Sequence, residues 1–329
     1  MATKKGKKSV GKKQAKKGGF GFGASPKLPK EPVKLDPGIN EALEKLAEGG
    51  QSIENYLAPE HFQDPEVMSD IAKRLQAGEV VVLRNAFREE FAEMVYQELY
   101  ALDDEWEFNE GYFPDGYAFA HHNVFNRGKW SERLNSTLDV FANEASRSFI
   151  QKLTGRDCSG ETTGAPSWYK EGEHSLPHTD WVGQRTVAYV WHLSKNWKPE
   201  WGGALYWAPY DHAVATFPAS FNTLVLFSVS PFSPHFVTTV SPYHRGKRLT
   251  FNGWWHSPWV PTLSDDLEKV LASKDERRKL THTQIQEITD LLADDYQNIA
   301  DERRELLEGL RKEALKELFP KGARTGSEA

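Results

Sequence analysis

Between Ala165 and Trp255 the chain is divided into short runs of β-branched and aromatic residues. No other feature limits its fold as much. The runs are APSWYK, RTVAYVWHL, GALYWAP, NTLVLFSVS, HFVTTV and RLTFNGWW, with Gly, Pro and Asn between them. Such runs are too short for helices and carry the side chains that suit a pleated, packed surface. Their regular spacing and turn signals predict a sandwich or barrel of short strands. Eleven Trp and eighteen Phe supply bulk for its core.

The flanks read differently. From Asp36 to Gln76 apolar residues recur at helical spacing (Ile39, Leu43, Leu46), and Pro59 and Pro65 divide the pattern into short helices. EVVVLRNAF (79–87) reads as a buried strand. REEFAEMVYQELYAL (88–102) reads as an amphipathic helix with Phe91, Met94, Val95, Leu99 and Leu102 on one side. Residues 131–155 read as one further helix, ended by Gly155. EGYFPDGYAFAHHNVFNRG (110–128) is polar, aromatic and turn-rich, which suits a connecting loop or a lid. After Pro261 the chain is charged and helical, with a stripe of Ile285, Ile288, Leu292, Tyr296, Ile299, Leu306 and Leu310. That stripe packs on the body or offers a dimer surface. Three units are expected: a lysine-rich tail with a Gly/Pro linker (1–35), a β domain with supporting helices (36–262), and a charged helical extension (263–329).

Charge and cysteine content remove several functional classes. Residues 1–17 hold eight Lys and no acid, while the whole chain carries −6, so the remainder carries −14. An acidic body is a poor nucleic-acid enzyme, leaving only the tail for an anionic partner. A single cysteine, Cys158, excludes an intrachain disulfide and a cysteine-rich zinc site, and reads as an inert loop thiol. No apolar run reaches the roughly 20 residues of a membrane span, and the N-terminus lacks the apolar stretch of a secretory leader. A cytoplasmic protein is expected, with the nucleus as an alternative through the lysine tail.

The chemistry concentrates in EHSLPHTDWVGQRTVAYVWHL (173–193), three histidines and an aspartate in one stretch. His174 and His178 have the spacing of ligands on one helix face, but Pro177 lies between them. His178 and Asp180 are two apart, which on a strand puts both on one face. An imidazole and a carboxylate, joined by a second histidine, make a facial triad suited to non-haem Fe(II). His235, carried past a strand by a Pro-punctuated turn, is the downstream candidate. Alone, HTD is a weak signal.

HTD, WKPEWGGALYW (197–207), SPHFV (233–237) and GKRLTFNGWW (246–255) occur in that order. Together they resemble the 2-oxoglutarate- and Fe(II)-dependent dioxygenases of the prolyl 4-hydroxylase-like superfamily, and most of all its ribosomal-protein prolyl hydroxylase branch. The resemblance covers about Val80 to Trp255. It implies a mainly β fold with flanking helices, around a double-stranded β-helix (jelly-roll, cupin-like) core. It implies Fe(2+) on His178, Asp180 and His235, with 2-oxoglutarate and O2 as co-substrates and ascorbate as an admitted reductant. It puts Arg248, in RLT, on the far carboxylate of 2-oxoglutarate, with Thr250 donating a hydroxyl to it and Tyr169 nearby. A guanidinium matches a carboxylate with paired hydrogen bonds. His192 stands where the family often has tyrosine, and is either a co-substrate contact or a packed side chain. Arg248 comes thirteen positions after His235, a longer gap than the family usually has, so Lys247 competes with Arg248 for the anchor. His174, His244 and His256 match no ligand position and read as loop or rim residues. Trp181, Trp254 and Trp255 read as core or pocket wall.

A hydroxylase of a prolyl residue in a protein or peptide is the favoured reading. The alternatives are a hydroxylase of a free amino acid or small metabolite, a jelly-roll binding module without turnover, and a nucleic-acid demethylase.

Overall fold

An antiparallel sheet of eleven strands organises the molecule, which is a computed structural model describing residues 33–112, 117–209 and 214–261. The strands are β1 (Val81–Arg84), β2 (Glu107–Tyr112), β3 (Ala118–Asn123), β4 (Thr162–Tyr169), β5 (His174–His178), β6 (Arg185–Leu193), β7 (Leu205–Trp207), β8 (Ala215–Phe217), β9 (Phe221–Ser228), β10 (His235–Val237) and β11 (Arg248–His256). The order across the sheet is β1-β9-β6-β11-β4-β3-β5-β10-β7-β8, with β2 paired to β3. The sheet curls until strands far apart in that order meet. Trp207 of β7 packs on Phe227 of β9 with ring centroids 4.9 Å apart. This is a jelly roll, the fold class expected. The sequence runs miss β5 and β8, which are too short or too polar to stand out.

Alternation assigns each strand two faces. On β6, Val187, Tyr189, Trp191 and Leu193 join the core under the helices, while Ala188 and Val190 face the barrel interior. On β11, Leu249, Phe251 and Trp255 take the helix side. The interior side is left to Arg248, Thr250, Asn252 and Trp254, paired with the inward residues of β4 and β6.

The helices close the other side of the wide part of the sheet. They are α1 (Pro37–Glu48), α2 (Ile53–Tyr56), α3 (Pro59–Phe62), α4 (Pro65–Gln76), α5 (Glu89–Tyr100), α6 (Glu132–Ala142) and α7 (Glu144–Thr154). Phe91, Met94, Val95 and Leu99 of α5 are buried as its pattern predicts. Phe87, Phe141, Tyr189, Trp191 and Trp255 form one aromatic cluster, with Phe87 and Trp191 at 4.2 Å. Burying each such ring contributes roughly 2–3 kcal/mol.

Two expectations change here. Residues 131–155 form two helices rather than one. Asn143 is extended, and its side chain accepts from Ser146 N at 2.9 Å to cap α7. Ser146 Oγ in turn bonds Val140 O and Ile53 N, a buried knot that needs the break. Residues 110–128 are not a plain loop either: β2 and β3 form a hairpin, and β3 continues into the main sheet through β4 and β5. Cys158 is fully buried in the helix-side core, where burial pushes its thiol up to about 12. The lysine-rich tail up to residue 32 and the helical extension from 263 lie outside the described residues.

Candidate metal and co-substrate site

His178 sits at the end of β5, and strand alternation alone would point it outward with Leu176 and the outer cluster. A β-bulge reverses it. Ser175 pairs with Val237 and His178 with His235, so three steps on β5 match two on β10. The extra residue lies at Leu176–Pro177, and a proline, which lacks an N–H, is at home in a bulge. The bulge turns His178 inward to face His235, with ring centroids 4.3 Å apart.

Asp180 follows the strand rather than lying on it. Its φ is +61°, in the left-handed region that asparagine and aspartate tolerate. So the two-residue spacing does bring His178 and Asp180 together, but through a tight turn and not through strand alternation. Val182 N closes that turn on Asp180 O at 2.7 Å. Ser233 Oγ donates to Thr179 O at 2.8 Å and joins this turn to the one carrying His235.

The three expected metal-site side chains converge, their ligand atoms all within 4.8 Å of one another. His178 Nε2 lies 3.6 Å from Asp180 Oδ1, and His235 Nε2 lies 3.4 Å from Asp180 Oδ2. Each histidine places Nδ1 on a backbone carbonyl two residues back: Leu176 O at 2.8 Å and Ser233 O at 2.9 Å. A carbonyl only accepts, so Nδ1 carries the proton and Nε2 keeps its lone pair for a metal. Burial, then the neighbouring His235, pull the His178 imidazole down to about 4, so it is neutral at physiological pH. Burial alone would raise Asp180. The hydrogen bond and charge of His235, then His178 and Arg185, outweigh it and hold the carboxyl well below the usual carboxylate range. Two imidazole nitrogens and a carboxylate are the donor set that suits Fe(II).

Three side chains around this cluster are not legible from motif spacing. Arg185 Nη1 reaches Asp180 Oδ1 at 3.2 Å, and Trp254 Nε1 donates to Oδ2 at 2.9 Å. The Arg185 guanidinium lies 3.7 Å from the centre of the Trp254 ring, so the two donors brace each other. Tyr117 stacks on the His178 ring at 4.4 Å. Strand phase could have signalled Trp254, which shares the inward face of β11 with Arg248. Arg185 and Tyr117 carry no such signal.

Arg248 points inward and is 1% exposed. Its Nε donates to Gly203 O at 2.9 Å and its guanidinium lies 4.4 Å from the centre of the Tyr169 ring. Its Nη2 is buried with no hydrogen-bond partner among the described residues. Burial lowers its pKa to about 10. Lys247 takes the opposite face, its Nζ bonding Tyr100 O at 2.8 Å, so it does not compete for the interior. WGGALYW has a clear task here. Gly202 adopts φ +69° and ψ −154°, open only to glycine, and a Cβ there would lie 2.0 Å from Thr239 O. That turn delivers the Gly203 carbonyl to Arg248.

His192 is fully buried, and neither ring nitrogen has a partner among the described residues. Burial and the nearby Arg248 keep its imidazole neutral. Thr250 is its cross-strand neighbour. The Thr250 hydroxyl donates to Asn252 Oδ1 at 3.0 Å, so it must rotate before it can meet a carboxylate. Tyr169 is buried, with its hydroxyl 2.9 Å from Ser175 Oγ. A buried guanidinium nitrogen and an imidazole without partners fit an anionic carboxylate ligand.

The remaining histidines and tryptophans separate cleanly. His174 lies within β5, His244 stacks on Trp197, and His256 ends β11 with Nδ1 on Glu161 O. None joins the cluster. Trp255 belongs to the helix-side core, and Trp181 packs at the edge of the interior cluster.

Residues 165–256 match the sequence profile of the 2OG-Fe(II) oxygenase superfamily. Mouse "Prolyl 3-hydroxylase OGFOD1" is 29% identical over 176 residues, covering 52% of this chain and 31% of the relative. "Prolyl 3,4-dihydroxylase OGFOD1" of Ostreococcus tauri is 31% identical over 150 residues, covering 42% and 28%. The chain thus spans less than a third of the length of these curated relatives. Among solved structures, a Pseudomonas putida prolyl-4-hydroxylase overlaps 58% of this chain and 98% of its own, with a TM-score of 0.47 at 18% identity. A Trichoplax adhaerens prolyl hydroxylase, bound to a hypoxia inducible factor oxygen degradation domain peptide, overlaps 63% and 92%, with a TM-score of 0.45 at 20% identity.

Proposed function

We propose that this chain, which through residues 165–256 is a member of the 2OG-Fe(II) oxygenase superfamily, hydroxylates a prolyl residue of a protein or peptide. One observation carries the reading: the convergent His178, Asp180 and His235 share a barrel with a buried Arg248 that has a donor to spare. The balanced reaction takes substrate, O2 and 2-oxoglutarate to hydroxylated substrate, succinate and CO2. Iron(II) with 2-oxoglutarate supplies the oxygen activation and C–H hydroxylation.

The protein holds and orients. His178, Asp180 and His235 are assigned to the metal, with Arg185 and Trp254 fixing the carboxylate. Arg248 is assigned to the distal carboxylate, with His192, Thr250 and Tyr169 around it. Phe227 and Trp207, stacked near His235, keep water from that side. The rings of Tyr117, beside His178, and Trp254, beside Asp180, offer aromatic surface that suits a proline ring. The prolyl hydroxylase names of the curated relatives support that choice over a free amino acid.

A net charge of −14 outside the lysine tail favours a basic protein partner, such as a ribosomal protein. The cytoplasm, or the nucleus through the lysine tail, is where it would be met. Among the described residues no helix is long and apolar enough to cross a membrane. Self-association through the stripe at 285–310 and an anionic partner for the tail remain proposals from sequence.

The test is mass spectrometry of a proteome incubated with Fe(II), 2-oxoglutarate and either the protein or its His178→Ala variant. One added oxygen on proline, only with the unaltered protein, is expected. Turnover of a free amino acid with no protein modified would overturn the substrate assignment.

A further inference from the structure

The inner face of β3 runs past both ends of the proposed site. Tyr117, just before the strand, stacks on the metal-site residue His178 at 4.4 Å. Two steps along, Phe119 leads to His121 at 5.2 Å. His121 lies flat on Tyr169, with centroids 4.5 Å apart and planes at 24°. Tyr169 is the ring against which Arg248 rests at 4.4 Å. Two further along, Asn123 donates to Ser167 Oγ at 2.6 Å. Ser167 in turn donates to Asn252 Oδ1, which also accepts from Thr250. One strand therefore contacts a metal-site residue and the supports of Arg248 and Thr250.

Arg248 has few supports. The described residues give it one hydrogen bond, to Gly203 O, and the face of Tyr169. Tyr169 is fixed by its Ser175 hydrogen bond at the hydroxyl and by His121 on the ring. Register makes the two rings and the guanidinium a row. Arg248 pairs with Tyr169, and His122 pairs with Trp168, so His121 stands beside Tyr169 on the next strand.

We propose that His121 is a positioning residue for the co-substrate anchor: its ring backs Tyr169, which sets the Arg248 guanidinium. The proposal rests on the 2-oxoglutarate reading above. Burial, with added repulsion from Arg248 and His178, holds His121 neutral, its pKa down to about 3. The stack therefore keeps Arg248 as its single positive charge.

The experiment measures 2-oxoglutarate binding to the full chain loaded with Mn(II), which binds without turnover, together with Mn(II) affinity. His121→Ala removes the backing ring and His121→Phe keeps it. His121→Ala should weaken 2-oxoglutarate about ten-fold, the upper range for one stacked aromatic pair, with Mn(II) affinity unchanged. His121→Phe should return it to within about three-fold of the unaltered protein. Unchanged 2-oxoglutarate affinity in His121→Ala overturns the proposal. So does a His121→Phe defect as large as that of His121→Ala, since the nitrogen rather than the ring would then matter. Arg248→Ala separates the two levels. If it binds 2-oxoglutarate normally, the co-substrate reading itself fails, whereas failure at His121 alone leaves that reading standing.

Discussion

Replacing Arg248 with methionine separates the stability of this barrel from its proposed function. The charge is buried, and its pKa falls from 12.5 to about 10. At about 1.4 kcal/mol per pH unit, holding it charged costs about 3 kcal/mol. Against this stand the bond to Gly203 O and the Tyr169 face. Leaving that carbonyl unpartnered costs about 1–2 kcal/mol, and the cation–π contact contributes about 1–2 kcal/mol. The terms cancel to within about 1 kcal/mol, so Arg248→Met should melt within about 4 °C of the unaltered protein when both are free of metal and co-substrate. Binding should differ sharply. At a hundred-fold excess over Kd, 2-oxoglutarate stabilises the folded state by about 2.7 kcal/mol. Losing one partner of a buried carboxylate pair costs about 2–5 kcal/mol, enough to abolish that stabilisation. Thermal melts of the metal-free proteins, and of the Mn(II)-loaded proteins with and without 2-oxoglutarate, make the measurement. A fall above about 10 °C in the ligand-free variant, or an undiminished 2-oxoglutarate shift, would refute it.

His178→Ala, Asp180→Ala and His235→Ala should each weaken Mn(II) binding by two orders of magnitude or more, read by titration calorimetry, with far-UV circular dichroism unchanged. Any one that binds Mn(II) normally removes that residue from the site. Lys247→Ala should leave 2-oxoglutarate affinity unaltered, because its ammonium caps Tyr100 O outside the barrel; a loss matching Arg248→Ala would reverse the assignment. Gly202→Ala should cost about 3 kcal/mol or more, and chemical denaturation showing less than about 1 kcal/mol would mean the turn relaxes freely. His178 binds a proton near 6.5 when unfolded and near 4 when folded. The unfolded chain therefore takes up the proton first, and the metal-free protein should lose up to about 3 kcal/mol as pH falls from about 6.5 to 4. Urea melts at pH 7 and pH 4.5 test this, and His178→Leu should flatten the dependence.

The strands of the wide sheet were legible because buried strands must be both apolar and short, and the runs around Val187–Leu193 and Leu224–Phe227 meet both demands. The motif residues were legible because few side chains can hold a metal or a carboxylate, and their order along the chain is distinctive. What escaped depends on phase and contact. The Pro177 bulge cannot be read from HSLPH, since the extra residue exists only relative to β10. The hairpin at 107–123 mixes Glu, Gly and His with aromatics, so its pairing follows from β4 and β5 rather than from its own pattern. Arg185 looks like an ordinary strand-initial charge until the barrel brings Trp254 beneath it. Asn143 is a helix former's neighbour in sequence and a cap only because Ser146 is buried against α2.

The bulge at Leu176–Pro177 makes the site a matter of counting. Up to Ser175 the strand keeps one parity, and from His178 onward it keeps the other. Deleting a single residue between them would remove the bulge and leave the histidine two steps from Ser175, where plain alternation still aims it at His235. Deleting two would put it next to Ser175 and turn it outward, with hardly a side chain of the barrel core altered. Ironing out the bulge at the present length would do the same. The number of residues between Ser175 and His178, together with the bulge that absorbs the odd one, therefore decides whether this barrel gathers its three candidate ligands or is only a binding shell on the same scaffold.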